Sequence, residues 1–425
     1  MKLVIIPLLC LIISLSADQH ESGNPGYDFA DSIIARSNRT PAAAEMNLFA
    51  LSVAGYYHES MVYEDSIVTP KDPVRITLYN KHVLDARELI LREAAKHRII
   101  LINEAHFRPQ HRLFTKSLLS ALYQQGYNVF LAEGIQPNNQ LDKRAYPVKG
   151  EGAFLNEPTY ASLIRYAAKK GYKVRAYEYI ARTTWDDSVM LDKNGSMKYI
   201  NYQPRDSGSI IKNEKGEVIQ SVFTSLREQQ QAKNILAIIR ANPKSRFIIH
   251  AGYAHINESG PMMGSQLRKL LNYEDVLTID QTELNEKQIV IDTLTNDTIR
   301  RAEAFVLVDN TTKKTWNYYG DHYPVDYPIF NASFKDSLGR PGFLFKDVEK
   351  RVVTWLKPAL LKDCRCVFSA YNPGELKREH ENAIATDVVY VDNEHVRPLL
   401  LYKGTHTIVK KNARGEYTQF SLEVK

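Results

Sequence analysis

The chain has 425 residues, more than one ordinary core absorbs, so two or three cores are expected. With 44% of residues apolar and 24% charged, a disordered or fibrous chain is excluded. A net charge of +6 without a Lys/Arg block leaves no footprint for a nucleic-acid partner.

Residues 1–17 have the form of a secretory signal peptide. Lys2 supplies the positive start, Leu3 to Ile13 the apolar run, and Ser14-Leu15-Ser16-Ala17 small residues for cleavage. That run is short for a bilayer span and no other window approaches its length, so no integral membrane span is expected in the mature chain. The protein is expected to be exported, periplasmic or secreted. Leu8-Leu9-Cys10 raises a lipid anchor at Cys10, and the apolar residues that follow Cys10 weigh against it. A disulfide between Cys364 and Cys366, across one intervening residue, would be strained; half a metal site or a redox pair is drawable, but buried or merely reduced thiols are expected, with no function assigned.

Residues 18–97 read as a helical amino-terminal region. Leu48, Leu51, Val53, Ala54 and Tyr57 recur at near-helical spacing, and a second helix is expected over Lys81 to His97. From Arg98 short apolar runs alternate with helical stretches, the pattern of βαβ units and a mainly parallel sheet flanked by helices. The runs are Ile99–Ile102, Val129–Ala132, Val174–Tyr177, Phe247–Ile249 and Val276–Ile279. Helices are expected after Pro109, through Leu163 and Ala167 to Gly171, and from Ser225 to Ala241. Within this α/β domain, placed at 98–282, residues 185–223 break the rhythm. Asn194-Gly195 and Asn213-Glu214-Lys215-Gly216 each separate two short apolar runs, which predicts an inserted pair of β-hairpins. Residues 283–425 read as a smaller β-rich region, with strands near Ala304–Val308, Val388–Val391 and Pro398–Tyr402.

Side chains just beyond the carboxyl ends of strands line the ligand crevice of an open α/β sheet. The first run ends in Asn103-Glu104-Ala105-His106, with His111 a turn later; the second ends in Glu133 and the third in Glu178. The fourth ends in His250-Ala251-Gly252-Tyr253-Ala254-His255. Singly, each has a plain reading as a solvated carboxylate or a buried histidine; four consecutive strand ends bearing Glu or His carry more weight than any member. Ser225 and Glu228 have capping-box spacing, which explains Glu228 and leaves Arg227 to aim a permanent charge at an anionic group or a developing oxyanion.

Glu104-Ala105-His106-Phe107-Arg108-Pro109-Gln110-His111 resembles the Glu-x-His…His signature of ChaN-like haem-uptake and erythromycin-esterase-like proteins, with Asn103 where those relatives usually carry glycine. Arg227-Glu228 through Ala232 and Asn234-Ile235 is similar to their second element, and Gly252-Tyr253-Ala254-His255 to their Gly-x-x-His, shared more distantly with TraB/TIKI-type proteins. The resemblance spans roughly residues 95–282.

It implies a hydrolase of the esterase type acting on a small-molecule or peptide substrate. His106 is then the general base, oriented by Glu104; Glu133 or Glu178 holds His255 or steers the water, and Arg227 stabilises negative charge. His111, His250 and Tyr253 are expected to border the substrate. A metallohydrolase is equally drawable, with Glu104, His106, Glu133 and His255 holding a divalent ion such as Zn or Mn. The ChaN-like side of the resemblance implies instead a haem- or iron-binding exported protein, for which the histidines and the 25 tyrosines offer ligands. A non-catalytic cell-envelope interaction protein is the third reading.

Overall fold

The structure, a computed structural model, describes residues 27–35, 41–68, 74–179, 188–191, 197–201, 210–212, 218–271, 276–284, 289–291, 303–318, 320–331, 335–361 and 365–425. The leader expected at 1–17, Cys10 and the two hairpin turns lie outside these residues. No helix among the described residues is long and apolar enough to cross a membrane.

The α/β expectation holds. Six parallel strands form one sheet in the order Tyr327–Pro328, Val276–Asp280, Ile99–Glu104, Arg246–Gly252, Tyr127–Ala132, Lys173–Ala176. Ile99 through Ile102 and Val129 through Ala132 are all buried, because helices cover both faces of a parallel sheet and leave no polar side to alternate with. The helix Pro109–Gln124 opens on a proline whose missing N–H costs nothing there. The helix Pro158–Lys170 is capped by Glu157, which accepts from the Tyr160 N–H at 2.7 Å, and ends on Gly171 at φ 96°. These helices and Val222–Ala241 send Leu118, Leu163 and Ile235 into the same core.

Register sets the height of the strand ends. Glu104 pairs with Gly252 and Ile102 with His250 on one side of the fourth strand, while His250 also pairs with Ala132 on the other. Glu104 and Glu133 therefore leave the sheet on either side of the His250–Gly252 strand end, and Glu178 follows two residues after Ala176, the partner of Ala132.

Four expectations are corrected. The helix over 81–97 is a strand, Lys81–Asp85, followed by a helix, Ala86–Ala94. Asp85 cuts the two apart by accepting from the Glu88 N–H at 2.9 Å, and the strand pairs with Ala304–Asp309. Residue 283 is not a clean boundary either: Tyr327–Pro328 extends the parallel sheet, and Ala304, Val306 and Val308 join its core. The Val222–Ala241 helix begins before Ser225, which places Ser225 inside the helix and not at its cap, and Glu228 accepts from the Met263 N–H at 2.7 Å. Finally, Cys366 is fully buried and disulfide-bonded, not a reduced thiol. Cys364 and Cys10 lie outside the described residues.

The hairpin insertion appears as two antiparallel pairs, Ser188–Leu191 with Met197–Asn201 and Ile210–Lys212 with Val218–Ser221. The carboxyl region carries an antiparallel sheet in the order Asp387–Val391, Cys366–Tyr371, Gly404–Asn412, Tyr417–Val424. The amino-terminal segment packs on it, burying Tyr27, Ile33, Leu51 and Ala54 against Val367, Tyr371, Val388 and Val409. Lys116 is buried in the Pro109–Gln124 helix and donates to Asp347 Oδ1 at 2.7 Å and Ser162 Oγ at 2.8 Å, tying the carboxyl region to the sheet's helical cover.

Candidate functional site

Two buried charge clusters stand at the carboxyl ends of the strands. The first is built on Glu104. Arg112, one helix along, grips it bidentately: Nε donates to Oε2 at 2.6 Å and Nη2 to Oε1 at 2.7 Å. Arg112 Nη1 donates to Glu157 Oε2 at 2.6 Å, so one guanidinium serves two carboxylates with no exposed surface. Burial pushes the Glu104 carboxyl up, but the Arg112 charge and its hydrogen bonds outweigh burial and hold it well below the usual range. Glu104 is thus an ionised acceptor, and His106 Nδ1 lies 3.0 Å from its Oε1, so in the neutral ring the proton belongs on Nδ1 and the lone pair on Nε2. The ring of Phe154 lies flat on His106, centroids 3.7 Å apart, and Tyr253 meets it edge-on at 5.2 Å.

The second cluster is built on Arg227. Its Nη2 donates to Glu133 Oε1 at 2.6 Å and Glu178 Oε2 at 2.8 Å, its Nε to Glu178 Oε1 at 2.9 Å. Its Nη1 lies 3.0 Å from His255 Nε2, and His255 Nδ1 lies 2.7 Å from Glu228 Oε1. Gln231 Nε2 adds a bond to Glu178 at 2.8 Å, and the Gly252 N–H donates to Glu133 Oε2. Burial raises the Glu133 carboxyl, and the His255 and Arg227 charges more than reverse it, so it too lies well below the ordinary value. The charge of Arg227 is met inside the protein, by carboxylates, and is not presented outward.

The remaining sequence-derived residues sit around these clusters. His250 is fully buried between them, its Nε2 3.6 Å from Glu104 Oε2, and neither ring nitrogen has a hydrogen-bond partner among the described residues. Burial pushes its imidazole down to about 4, although Glu104 pulls the other way. His111 is buried, accepts from the Ala105 N–H at 3.0 Å, and is pushed down to about 3 by burial and by the Arg108 charge. Tyr253, at φ 34°, turns the chain out of the sheet so that His255 folds back over it, and its carbonyl accepts from Asn103 Nδ2 at 2.8 Å. Asn103 also accepts from the Gln281 N–H at 2.6 Å and so ties three strand ends together. Arg112, Glu157, Phe154 and Gln231 were not singled out by the sequence; the available signal was a pair of cations, Arg112 and Lys116, at helical spacing among Leu113, Phe114 and Leu118.

The donor set expected for a metal does not fit one. Both Glu104 oxygens are taken by Arg112, and those of Glu133 by Arg227 and a backbone N–H. Among the described residues no group of three or more His, Cys, Asp or Glu side chains is arranged to hold a metal ion.

The buried neutral histidines have a consequence for stability. His111 and His250 bind their protons in the unfolded chain below about pH 6.5 but in the folded one only near 3 and 4. A depressed folded value means stability is complete above the unfolded value and drains as pH falls. Two protons at about 1.4 kcal/mol per pH unit each predict a loss of about 2–3 kcal/mol per unit between pH 6 and 4.5. Urea midpoints across that range check it; His250→Gln should roughly halve the slope, and a flat profile would refute the placement of both rings.

No protein-family model matches the chain, and no curated protein does. Among solved structures it is similar to the type III effector HopBA1, at 10% identity over 58% of this chain and 93% of that one, with a TM-score of 0.31. It is also similar to a structure showing cofacial heme binding to ChaN of Campylobacter jejuni, at 13% identity over 49% and 93%, with a TM-score of 0.27. Neither likeness is strong enough to bear on activity.

Proposed function

We propose that this chain is an exported hydrolase of the ester type, with His106 as general base and Glu104 as the group that orients it, working without a metal ion. One observation carries the reading. His106 is anchored through Nδ1 on an ionised carboxylate and keeps 12% of its side chain exposed, against 2% for Glu104 and Glu133, 5% for His255 and 7% for Arg227. Among the described members of the two clusters it is the most exposed side chain, and in its neutral form the electron pair is on Nε2. Such a ring takes a proton from water as the water attacks an acyl carbon, the imidazolium formed is stabilised by Glu104, and it returns the proton to the leaving alkoxide oxygen as the intermediate collapses and the ester C–O bond breaks. Arg112 keeps Glu104 ionised throughout, and Arg227 does the same for Glu133, whose charge also favours the imidazolium.

The test is turnover of a panel of aryl and alkyl esters by chelator-treated protein, beside His106→Ala and Glu104→Gln. General-base catalysis contributes on the order of 100- to 10,000-fold, so His106→Ala should lose about that much. Glu104→Gln should lose less, because Gln still accepts from Nδ1 but does not favour the charged ring. Full turnover in His106→Ala, or activity that disappears on chelation and returns with added Zn or Mn, would overturn the reading. A haemin titration giving a stoichiometric Soret shift that His106→Ala abolishes would establish the haem-binding alternative in its place.

A further inference from the structure

We infer that the mouth over His106 selects a neutral or cationic acyl compound bearing an aromatic or similarly apolar group, and that Phe154 and Phe49 determine this specificity. The inference rests on the hydrolase reading for its chemistry, but the ligand preference stands on separate observations. The first is the wall around the imidazole. Phe154 stacks on His106 at 3.7 Å, Tyr253 closes a second side at 5.2 Å, and Phe107 packs on Tyr253 at 6.4 Å. Phe49, from the amino-terminal helix Pro41–Val53, meets Phe154 edge-on at 5.6 Å. Leu48 of the same helix is buried with Ala105 and Phe107, and Tyr63 and Tyr253 pack against that group. Phe49, Phe154, Tyr253 and His106 are half-buried, so these rings and not the carboxylates are what an entering group touches.

The second observation is the sign of the charge beneath. Glu104, Glu133, Glu157, Glu178 and Glu228 are all buried in the two clusters. Arg112 and Arg227 are the cations in direct contact with them, and Arg108 acts on His111 nearby. Five carboxyls against three guanidiniums is, among the described residues, an excess of carboxylates beneath these rings, with His111 and His250 held neutral by burial. Such an excess of poorly solvated charge repels an anion and attracts a cation. Each guanidinium nitrogen of Arg112 and Arg227 already faces a protein partner and both side chains are buried, which sets them apart from a substrate carboxylate or phosphate.

The third observation concerns Phe154 itself. A Cβ at Gly134 would lie 2.7 Å from its Cδ2 and 3.0 Å from its Cε2, so this glycine makes room for the ring that lies over His106. An aromatic group stacking in that layer gains area burial and the offset or edge-on preference of ring pairs.

The experiment uses ligands that cannot turn over, so that binding and hydrolysis are read apart. N-benzylacetamide and its anionic analogue 4-(acetamidomethyl)benzoate are titrated against the full mature chain while the His106 imidazole resonances are followed. The neutral amide is expected to shift the His106 signals and the anion to bind at least tenfold more weakly. Phe154→Ala and Phe49→Ala should each weaken the neutral amide about tenfold, and Phe154→Tyr should restore it. The same variants should lower the preference for 4-nitrophenyl benzoate over 4-nitrophenyl hemisuccinate. Selective amide binding without turnover of any ester would keep this inference and sink the hydrolase reading. Turnover that ignores charge and both phenylalanine substitutions would do the reverse. Equal binding of the anion, or an imidazole unmoved by the neutral amide, would overturn the inference outright.

Discussion

Gly252→Ala is expected to lower turnover by about 100-fold while leaving the protein folded. Gly252 sits at φ −85° and ψ 150°, a backbone conformation that any L residue adopts, so the substitution carries no backbone strain. Its whole effect is spatial. A Cβ there would lie 2.5 Å from His106 Nε2, closer still to Cε1, and 3.0 Å from Glu133 Oε2. The imidazole cannot yield sideways without leaving Phe154 or the Glu104 oxygen that sets its tautomer. Displacement of a reacting group by about 1 Å costs on the order of 100-fold, whereas overpacking a buried site costs about 1–3 kcal/mol of stability. Turnover and a thermal melt on the same preparation separate the two, and loss of the His106 Nδ1–H resonance would locate the cause. A Gly252→Ala protein within threefold of wild type would mean that His106 is not the reacting group.

That position also shows what the sequence disclosed. The motif Gly252-Tyr253-Ala254-His255 marked the fourth strand end, and Glu104, Glu133 and Glu178 were visible because each follows a short apolar run whose period is that of a strand. Register then brought them level, as parallel neighbours from adjacent strands must be. The hairpins were legible because their turn residues are local. What stayed hidden depended on partners distant in sequence. Val83-Leu84 fits a helix and a strand equally, and its pairing with Val306 and Leu307 lies more than 200 residues away. Arg112 lies in a helix buried from Pro109 to Leu119, where no face alternates and a charge gives no periodic signal. Its second carboxylate, Glu157, reads locally as the cap it also is. Arg227 was visible, but the direction of its charge was not, because Glu133 and Glu178 reach it only through the fold.

Arg112→Met should destabilise the protein by about 3–5 kcal/mol at neutral pH, and more than any other single change around His106. Removing one partner of a buried ion pair leaves an uncompensated charge; here it leaves two, Glu104 and Glu157, and it also strips the His106 carbonyl of a donor at 2.6 Å. The dependence on pH identifies the cause. In the wild type the Glu104 carboxyl is depressed, so its contribution is complete above the unfolded value near 4.3 and is lost as pH falls below it. Without Arg112, burial is the largest influence left on Glu104, and burial raises a carboxyl. A raised value reverses the sign: the protonated acid is then the stable folded form, and stability drains as pH rises through the new folded value. The gap between wild type and Arg112→Met should therefore be small at pH 4.5 and widest above pH 7. Urea midpoints at the two pH values read it directly. Adding Glu104→Gln and Glu157→Gln should recover most of the loss at pH 7.5, since the stranded charges are gone, while turnover stays low because His106 has lost the ionised partner that orients it. A gap independent of pH, or one below about 1 kcal/mol, would mean that the guanidinium is not the counter-charge that keeps Glu104 ionised beneath His106.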